Sequence, residues 1–326
     1  MAPHLAAPKS ATDNAVRTAA IGKRVAVLIP CHNEAATIFE VVRDFRASLP
    51  PAVVYVYDNA STDSTALLAS EAGAIVHTEP LLGKGNVVRR MFADIEADIY
   101  VMVDGDGTYD AAHAPILVEH LVQGGLDMVN CARQAAGGNA YRPGHRLGNR
   151  VLSGLVARVF GRRLTDMLSG YRVMSRRFVK SFPALSTGFE IETELTVHAL
   201  ELRVPLAEIG APYFSRASGS ASKLNTVSDG MRILAVILHL VKEERPMQFF
   251  ASIFAVLAAT SIGLAIPVVV RFLETGLVYR LPTAVLATGL MIVAFLSLTC
   301  GLILDTVTRG RRELKRLLYL AARQSG

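Results

Sequence analysis

Over residues 24–245, short apolar runs alternate with stretches whose apolar positions recur at helical spacing. Residues 25–30 form an apolar run closed by a proline, and residues 34–49 carry helical spacing. Residues 53–58 are β-branched and aromatic, which predicts a second strand. Ser61, Thr62 and Asp63 supply capping chemistry for a helix that reaches Ala72. A third strand is expected at 74–78, a helix at 86–95 and a strand at 99–104. A further strand at 127–133 follows a helix that ends at Gly124-Gly125. Strands separated by helices of this length predict an α/β fold with a mostly parallel sheet.

The pattern changes near the C-terminus. Residues 249–270 are 22 positions without a charge, and residues 281–304 are 24. As helices they would span roughly 33–36 Å, enough for a hydrocarbon core of about 30 Å. Buried helices of soluble domains are rarely so long and so free of charge. The ten residues between them predict a two-helix transmembrane hairpin with both long flanks on one side. Arg309, Arg311, Arg312, Lys315 and Arg316 follow the second run, whereas the connection carries only Arg271 and Arg280. The positive-inside rule then puts the N-terminal part and the C-terminus in the cytoplasm. Residues 228–248 read as an amphipathic helix, either interfacial or packed on the domain before it. Residues 305–326 form a basic tail, and its stretch 314–321 suits either a leaflet surface or solvent. Residues 1–23 have no apolar core of signal-peptide length and are expected to be disordered. A catalytic-sized segment, 24–227, remains in between.

Composition agrees with this division. The 326 residues allow about two domains, and only 19% are charged against a usual quarter. Cys31, Cys131 and Cys300 are too few and too scattered for a disulfide scaffold or a zinc site. The net charge of +6 leaves nucleic acid, a membrane surface or an anionic substrate open.

A parallel sheet collects its ligands beyond the carboxyl ends of its strands. Three polar groups stand at such ends: Pro30-Cys31-His32-Asn33-Glu34, Asp58-Asn59-Ala60-Ser61 and Asp104-Gly105-Asp106. No P-loop and no Gly-x-Gly-x-x-Gly turn is present, so NTPase and dinucleotide modes are excluded. Asp104 and Asp106 can jointly hold a hard divalent cation, although Asp-Gly-Asp-Gly alone is equally good turn composition. Their place after an apolar strand at this rim favours the metal, Mg²⁺ or Mn²⁺. Gly83-Lys84-Gly85 opens a helix, where glycines admit a ligand and the lysine can meet a phosphate.

The order of these groups resembles the GT-A-fold family 2 glycosyltransferases. Leu168-Ser169-Gly170-Tyr171-Arg172, the segment Arg216 to Leu224 and the membrane hairpin resemble the polyprenyl-phosphate branch. That branch includes dolichol-phosphate mannose synthases and bacterial undecaprenyl-phosphate sugar transferases, and the likeness covers about residues 24–304. It implies a GT-A nucleotide-sugar-binding fold in which Pro30, Asn33, Glu34, Asp58 and Lys84 bind nucleotide. Asp104 and Asp106 would bind the metal, with Asp104 also serving the nucleotide. The chain departs from the usual paired aspartates of the second motif, where Tyr57 and Asn59 flank Asp58. Where some relatives carry Gln after the metal aspartates it has Thr108.

A lipid phosphate needs fixed cations, and arginine suits this by bidentate contact. Arg133, Arg142, Arg146, Arg172, Arg216 and Lys223 are candidates. The resemblance selects Arg133, Arg146, Ser169, Arg216 and Lys223 for the acceptor phosphate. It names Asp106, Arg133, Arg216 and Lys223 as catalytic. Glu190, Glu192 and Glu194 are read as structural or as partners of the basic cluster, because a phosphate acceptor is already ionised. Glu192 is the first of them to test. The expected activity is inverting transfer of one hexose-type sugar, UDP-linked, to a polyprenyl phosphate at the cytoplasmic leaflet of a bacterial-type inner membrane. No nucleic acid partner is needed, and a homo-oligomer is left open. A processive polysaccharide synthase is the enzymatic rival, although the chain lacks tryptophan and has only two spans. An inactive membrane-tethered nucleotide-binding protein is the other.

Overall fold

The computed structural model describes residues 22–135, 154, 164–188, 190–215, 242 and 245–322. These fall into two compact units, one of the described residues up to 215 with those from 315 on, and one of the described residues from 242 to 314. The larger is built on a seven-stranded sheet. In chain order its elements are β1 (Val25–Cys31), α1 (Ile38–Ser48), β2 (Val53–Asp58), α2 (Thr65–Glu71), β3 (Ile75–Thr78), α3 (Lys84–Asp94), β4 (Ile99–Met102) and α4 (Ala114–Gln123). They continue with β5 (Met128–Ala135), β6 (Arg172–Ser175), α5 (Arg176–Ser181), α6 (Ile191–Leu202) and β7 (Leu206–Tyr213). The strand order is β3-β2-β1-β4-β6-β5-β7. Only β6 runs against its neighbours.

The central strands read as unbroken apolar runs because helices cover both faces. Val25, Val27 and Ile29 of β1 point into one core with Ile38 and Phe45 of α1 and Leu117 of α4. Ala26 and Leu28 point the other way, onto Val87 and Met91 of α3, Phe178 of α5 and Leu195 of α6. The parallel register pairs Cys31 with Asp58, and β4 joins β1 on its other side. The ends of β1, β2 and β4 therefore share one rim.

Three expected boundaries move for local reasons. The helix expected from residue 34 begins at Ile38, since Asn33 takes a left-handed φ of 53° and the chain turns before Thr37. The helix expected after Ser61-Thr62-Asp63 begins at Thr65, whose N–H donates to Asp63 Oδ1 at 2.9 Å, while Asp63 Oδ2 and Ser61 Oγ accept from the N–H groups of Ala35 and Asn33 at 3.1 and 2.8 Å. The strand expected to reach Asp104 ends at Met102, leaving the aspartates on the loop.

The smaller unit contains α7 (Pro246–Thr275) and most of α8 (Leu281–Ala321), both long and apolar enough to cross a membrane. Helix α7 runs past the uncharged stretch to Gly276, whose φ of 68° ends it, so the connection shortens to five residues. The Ser261 hydroxyl donates to the Ala287 carbonyl at 2.6 Å, and Ser297 to that of Phe250 at 3.2 Å, an antiparallel hairpin. Ala287, Ala294, Gly301 and Thr308 are buried at intervals of seven, the small-residue seam that lets helices approach in lipid.

Helix α8 does not stop at residue 304. At its end Lys315 pairs with Glu201 at 2.7 Å, and the Tyr319 hydroxyl donates to Asp127 at 2.6 Å. The Arg177 guanidinium lies 4.9 Å from the centre of the Tyr319 ring. Residues 315 and 319 thus bond the sheet unit, while Leu314, Leu317, Leu318 and Leu320 of the same stretch stay exposed. Residues 1–21 and 216–241, with most of the expected 228–248 helix, lie outside the described residues.

Candidate active site

Two rim loops are laced together. Asn33 accepts from the Thr62 N–H through its side-chain oxygen at 2.8 Å, and the Glu34 N–H donates to Thr65 Oγ1 at 2.8 Å. Asparagine tolerates the left-handed backbone that this crossing needs. Asp58, at the end of β2, is only 6% exposed. One carboxylate oxygen accepts from the Ser61 N–H at 3.2 Å, and the other is buried without a hydrogen-bond partner. A buried oxygen left unsatisfied costs about 1–3 kcal/mol, which a donor on a bound ligand would recover.

Asn59 explains one departure from the paired-aspartate pattern. Its side-chain nitrogen donates to the carbonyls of Glu79 and Leu81 at 2.9 and 2.8 Å, and its oxygen accepts from the Gly83 N–H at 2.8 Å. Only an amide can do both. It ties the loop before α3 to the end of β2.

That loop carries Lys84. Its ammonium lies between Asp104 and Glu192, forming an ion pair with each. Burial alone would lower its pKa, but the two carboxylates reverse this and hold the ammonium well above its usual range. Burial pushes the Glu192 carboxyl up against the opposing pull of Lys84. Glu192 is therefore the partner of Lys84, a cation outside the basic cluster with which it was expected to pair. The glycines beside Lys84 serve the chain itself. A Cβ on Gly85 would meet the backbone at Ser186 and Thr187, and the Gly85 N–H donates to the Thr187 carbonyl at 3.0 Å. The expected approach of a ligand to these glycines is replaced by an approach of residues 186–187.

Asp104 and Asp106 follow β4 on the same rim. Asp106 is buried and accepts from the Thr108 hydroxyl at 2.6 Å and from its N–H at 3.2 Å. Thr108 thus orients an aspartate. Gly170 packs against the Asp104 carboxylate so closely that a Cβ there would lie 2.7 Å from its carbon. The Gly170 N–H donates to the Tyr109 hydroxyl at 2.9 Å. Among the described residues no cluster of three His, Cys, Asp or Glu side chains is gathered. Two hard carboxylates, one held by Thr108 and one by Lys84, fit Mg²⁺ or Mn²⁺ if the ligand supplies further oxygens.

Of the expected phosphate cations, Arg133 is described at the end of β5. Asp166 grips it through Nε at 2.6 Å and Nη2 at 2.8 Å. Ser169 is completely buried, and its hydroxyl donates to the Cys131 carbonyl at 2.5 Å. It shapes the loop, where an acceptor contact was expected. Arg172 is also completely buried, donating to the carbonyls of Ser169, Met167 and Glu192 and to Thr196 Oγ1. Burial lowers its pKa to about 10. It holds the fold together and meets no solvent, which removes it from the phosphate candidates. Arg142, Arg146, Arg216 and Lys223 lie outside the described residues. Asp166, Tyr109 and Glu208 were missed, because isolated polar residues carry no spacing signal.

The comparisons with known proteins follow the same lines. A family model described as glycosyl transferase family 2 matches residues 26–182. Glycosyltransferase AglJ of Haloferax volcanii is 33% identical over 300 residues, covering 90% of this chain and 97% of that protein. Protein RfbJ of Shigella flexneri is 58% identical over 123 residues, 37% of this chain and 95% of that one. Glucosyl-3-phosphoglycerate synthase of Mycobacterium tuberculosis, solved with Mn²⁺, UDP-glucose and phosphoglyceric acid, is 25% identical with a TM-score of 0.57. That likeness covers 70% of this chain and 82% of the solved one.

Proposed function

The chain belongs to glycosyl transferase family 2, and from that premise we propose that it moves one hexose-type sugar from a UDP-sugar to a polyprenyl phosphate. The observation that carries the donor side is the orphaned oxygen of Asp58, buried where β1 and β2 end. A nucleobase or ribose donor would satisfy it, with Pro30, Asn33 and Glu34 lining the same loops. Lys84 lies near the diphosphate. Asp104 and Asp106 would hold Mg²⁺ or Mn²⁺, whose chemistry here is to neutralise charge on the departing nucleoside diphosphate. The similar mycobacterial synthase, solved with Mn²⁺ and UDP-glucose, supports both donor and metal.

On the acceptor side, a phosphate oxygen attacks the anomeric carbon from the face opposite the diphosphate. The new C–O bond forms as the bond to the diphosphate oxygen breaks, and the configuration inverts. An ionised phosphate needs no general base. The pairing of Glu192 with Lys84 agrees with that economy of groups. Arg133, Arg146, Arg216 and Lys223 orient the acceptor, so proximity and electrostatics supply the rate. Two helices able to cross a bilayer favour a lipid acceptor over a soluble one. The enzyme is accordingly read as an inner-membrane protein with its sheet unit and both termini in the cytoplasm.

The test uses the full chain in detergent with Mn²⁺, a panel of UDP- and GDP-sugars and undecaprenyl phosphate. The expected product is a lipid-linked monosaccharide, lost in Asp106→Ala. Polymer would favour the processive rival. Transfer only to soluble phosphate esters would overturn the lipid acceptor, and nucleotide binding without any transfer would favour an inactive tether.

A further inference from the structure

Strands β5 and β7 run side by side with Asn130 opposite Glu208. The Glu208 carboxylate accepts from Asn130 Nδ2 at 2.9 Å and from the Asp166 N–H at 3.1 Å. Its second oxygen accepts from the Thr165 N–H and hydroxyl at 2.7 and 2.8 Å. Asn130 Nδ2 also donates to the Asp166 carbonyl at 2.7 Å. Backbone on both sides of Asp166 is thus pinned to the sheet.

The pinned residue turns its carboxylate onto Arg133. It takes the Arg133 N–H at 3.1 Å besides the two guanidinium bonds already given. The acid side chain is 6% exposed and the arginine side chain 17%. The guanidinium also stacks 5.4 Å from the Tyr213 ring centre, whose ring lies 5.2 Å from that of Tyr109. Tyr109 holds Gly170, and Gly170 abuts Asp104. A short chain of contacts therefore links Arg133 to the aspartate of the proposed donor site.

We propose that Asp166 is a positioning residue for the acceptor: pinned by Glu208 and Asn130, it fixes the Arg133 guanidinium in one orientation for the acceptor phosphate. The inference rests on the polyprenyl-phosphate reading above. A long, rotamer-rich cation otherwise loses its freedom at the moment of binding, and prior fixing removes that cost. A two-point grip on Nε and Nη2 sets the guanidinium plane as a single bond could not.

Full-chain enzyme in detergent is assayed with a short-chain polyprenyl phosphate, varying acceptor and nucleotide sugar separately. Asp166→Asn should raise the acceptor KM about tenfold and leave the nucleotide-sugar KM within about twofold. Asp166→Glu should recover part of the loss, and Arg133→Ala/Asp166→Asn should be no worse than Arg133→Ala. If Asp166→Asn does not fold, Arg133→Lys keeps the charge but loses the fork, and the same split is expected. An unchanged acceptor KM, or an equal rise in both KM values with a lowered melting temperature, overturns the proposal while the lipid-acceptor reading stands. Wild-type enzyme that makes no lipid-linked sugar overturns both.

Discussion

Adding one methyl group to Gly170 should disable the enzyme with little harm to its fold. A Cβ there would lie 2.7 Å from the Asp104 carboxylate carbon. Carbon atoms in contact prefer about 3.5–4.0 Å, so the carboxylate must retreat by about 1 Å. It cannot retreat freely, since it is paired with Lys84, which is paired in turn with Glu192. Overpacking of this size costs about 1–3 kcal/mol, a shift of a few degrees in melting temperature for a unit this large. A displacement of about 1 Å at a reacting centre can cost about 100-fold in rate. Initial rates of sugar transfer at saturating Mn²⁺, with thermal unfolding alongside, measure both. Gly170→Ala enzyme that turns over like wild type would show that Asp104 can move without consequence. The placement of Asp104 in the donor site would then be wrong.

Three further outcomes follow from the same geometry. Asn59→Asp turns a donating amide into an oxygen facing the carbonyls of Glu79 and Leu81, and should cost about 1–3 kcal/mol in thermal or urea unfolding. A variant as stable as wild type would contradict that hydrogen-bond pattern. Burial, with a smaller push from Lys315, lowers the His198 pKa from 6.5 to about 3. The folded imidazole stays neutral while the unfolded one protonates, so stability held above pH 6.5 is lost as pH falls toward 3. The slope is at most about 1.4 kcal/mol per unit, and His198→Leu should flatten this part of a stability–pH curve. Tyr319→Phe removes a donor from fully buried Asp127 and should cost about 1–3 kcal/mol. Unchanged unfolding would mean that the end of α8 does not hold the sheet unit.

Much of the architecture was legible because it rests on periodic exposure. Residues 53–58 alternate with helical stretches because a strand covered on both faces must be apolar, and β2 occupies those positions. The two uncharged runs lie within α7 and α8 because length and the absence of charge suffice to define such helices. Parallel topology alone brings Asp58, Asp104 and Asp106 to one rim, since each closes or follows a strand of the same direction. Partner choice is not periodic, and only the folded chain decides it. Lys84 meets Glu192 across 108 positions, Gly170 seats Asp104, and Asp166 aims Arg133. Arg172 and Arg133 look alike as arginines near a rim, yet one is sealed inside and the other is partly exposed. Which arginine meets solvent depends on how loops from distant segments close over it, and no local spacing encodes that.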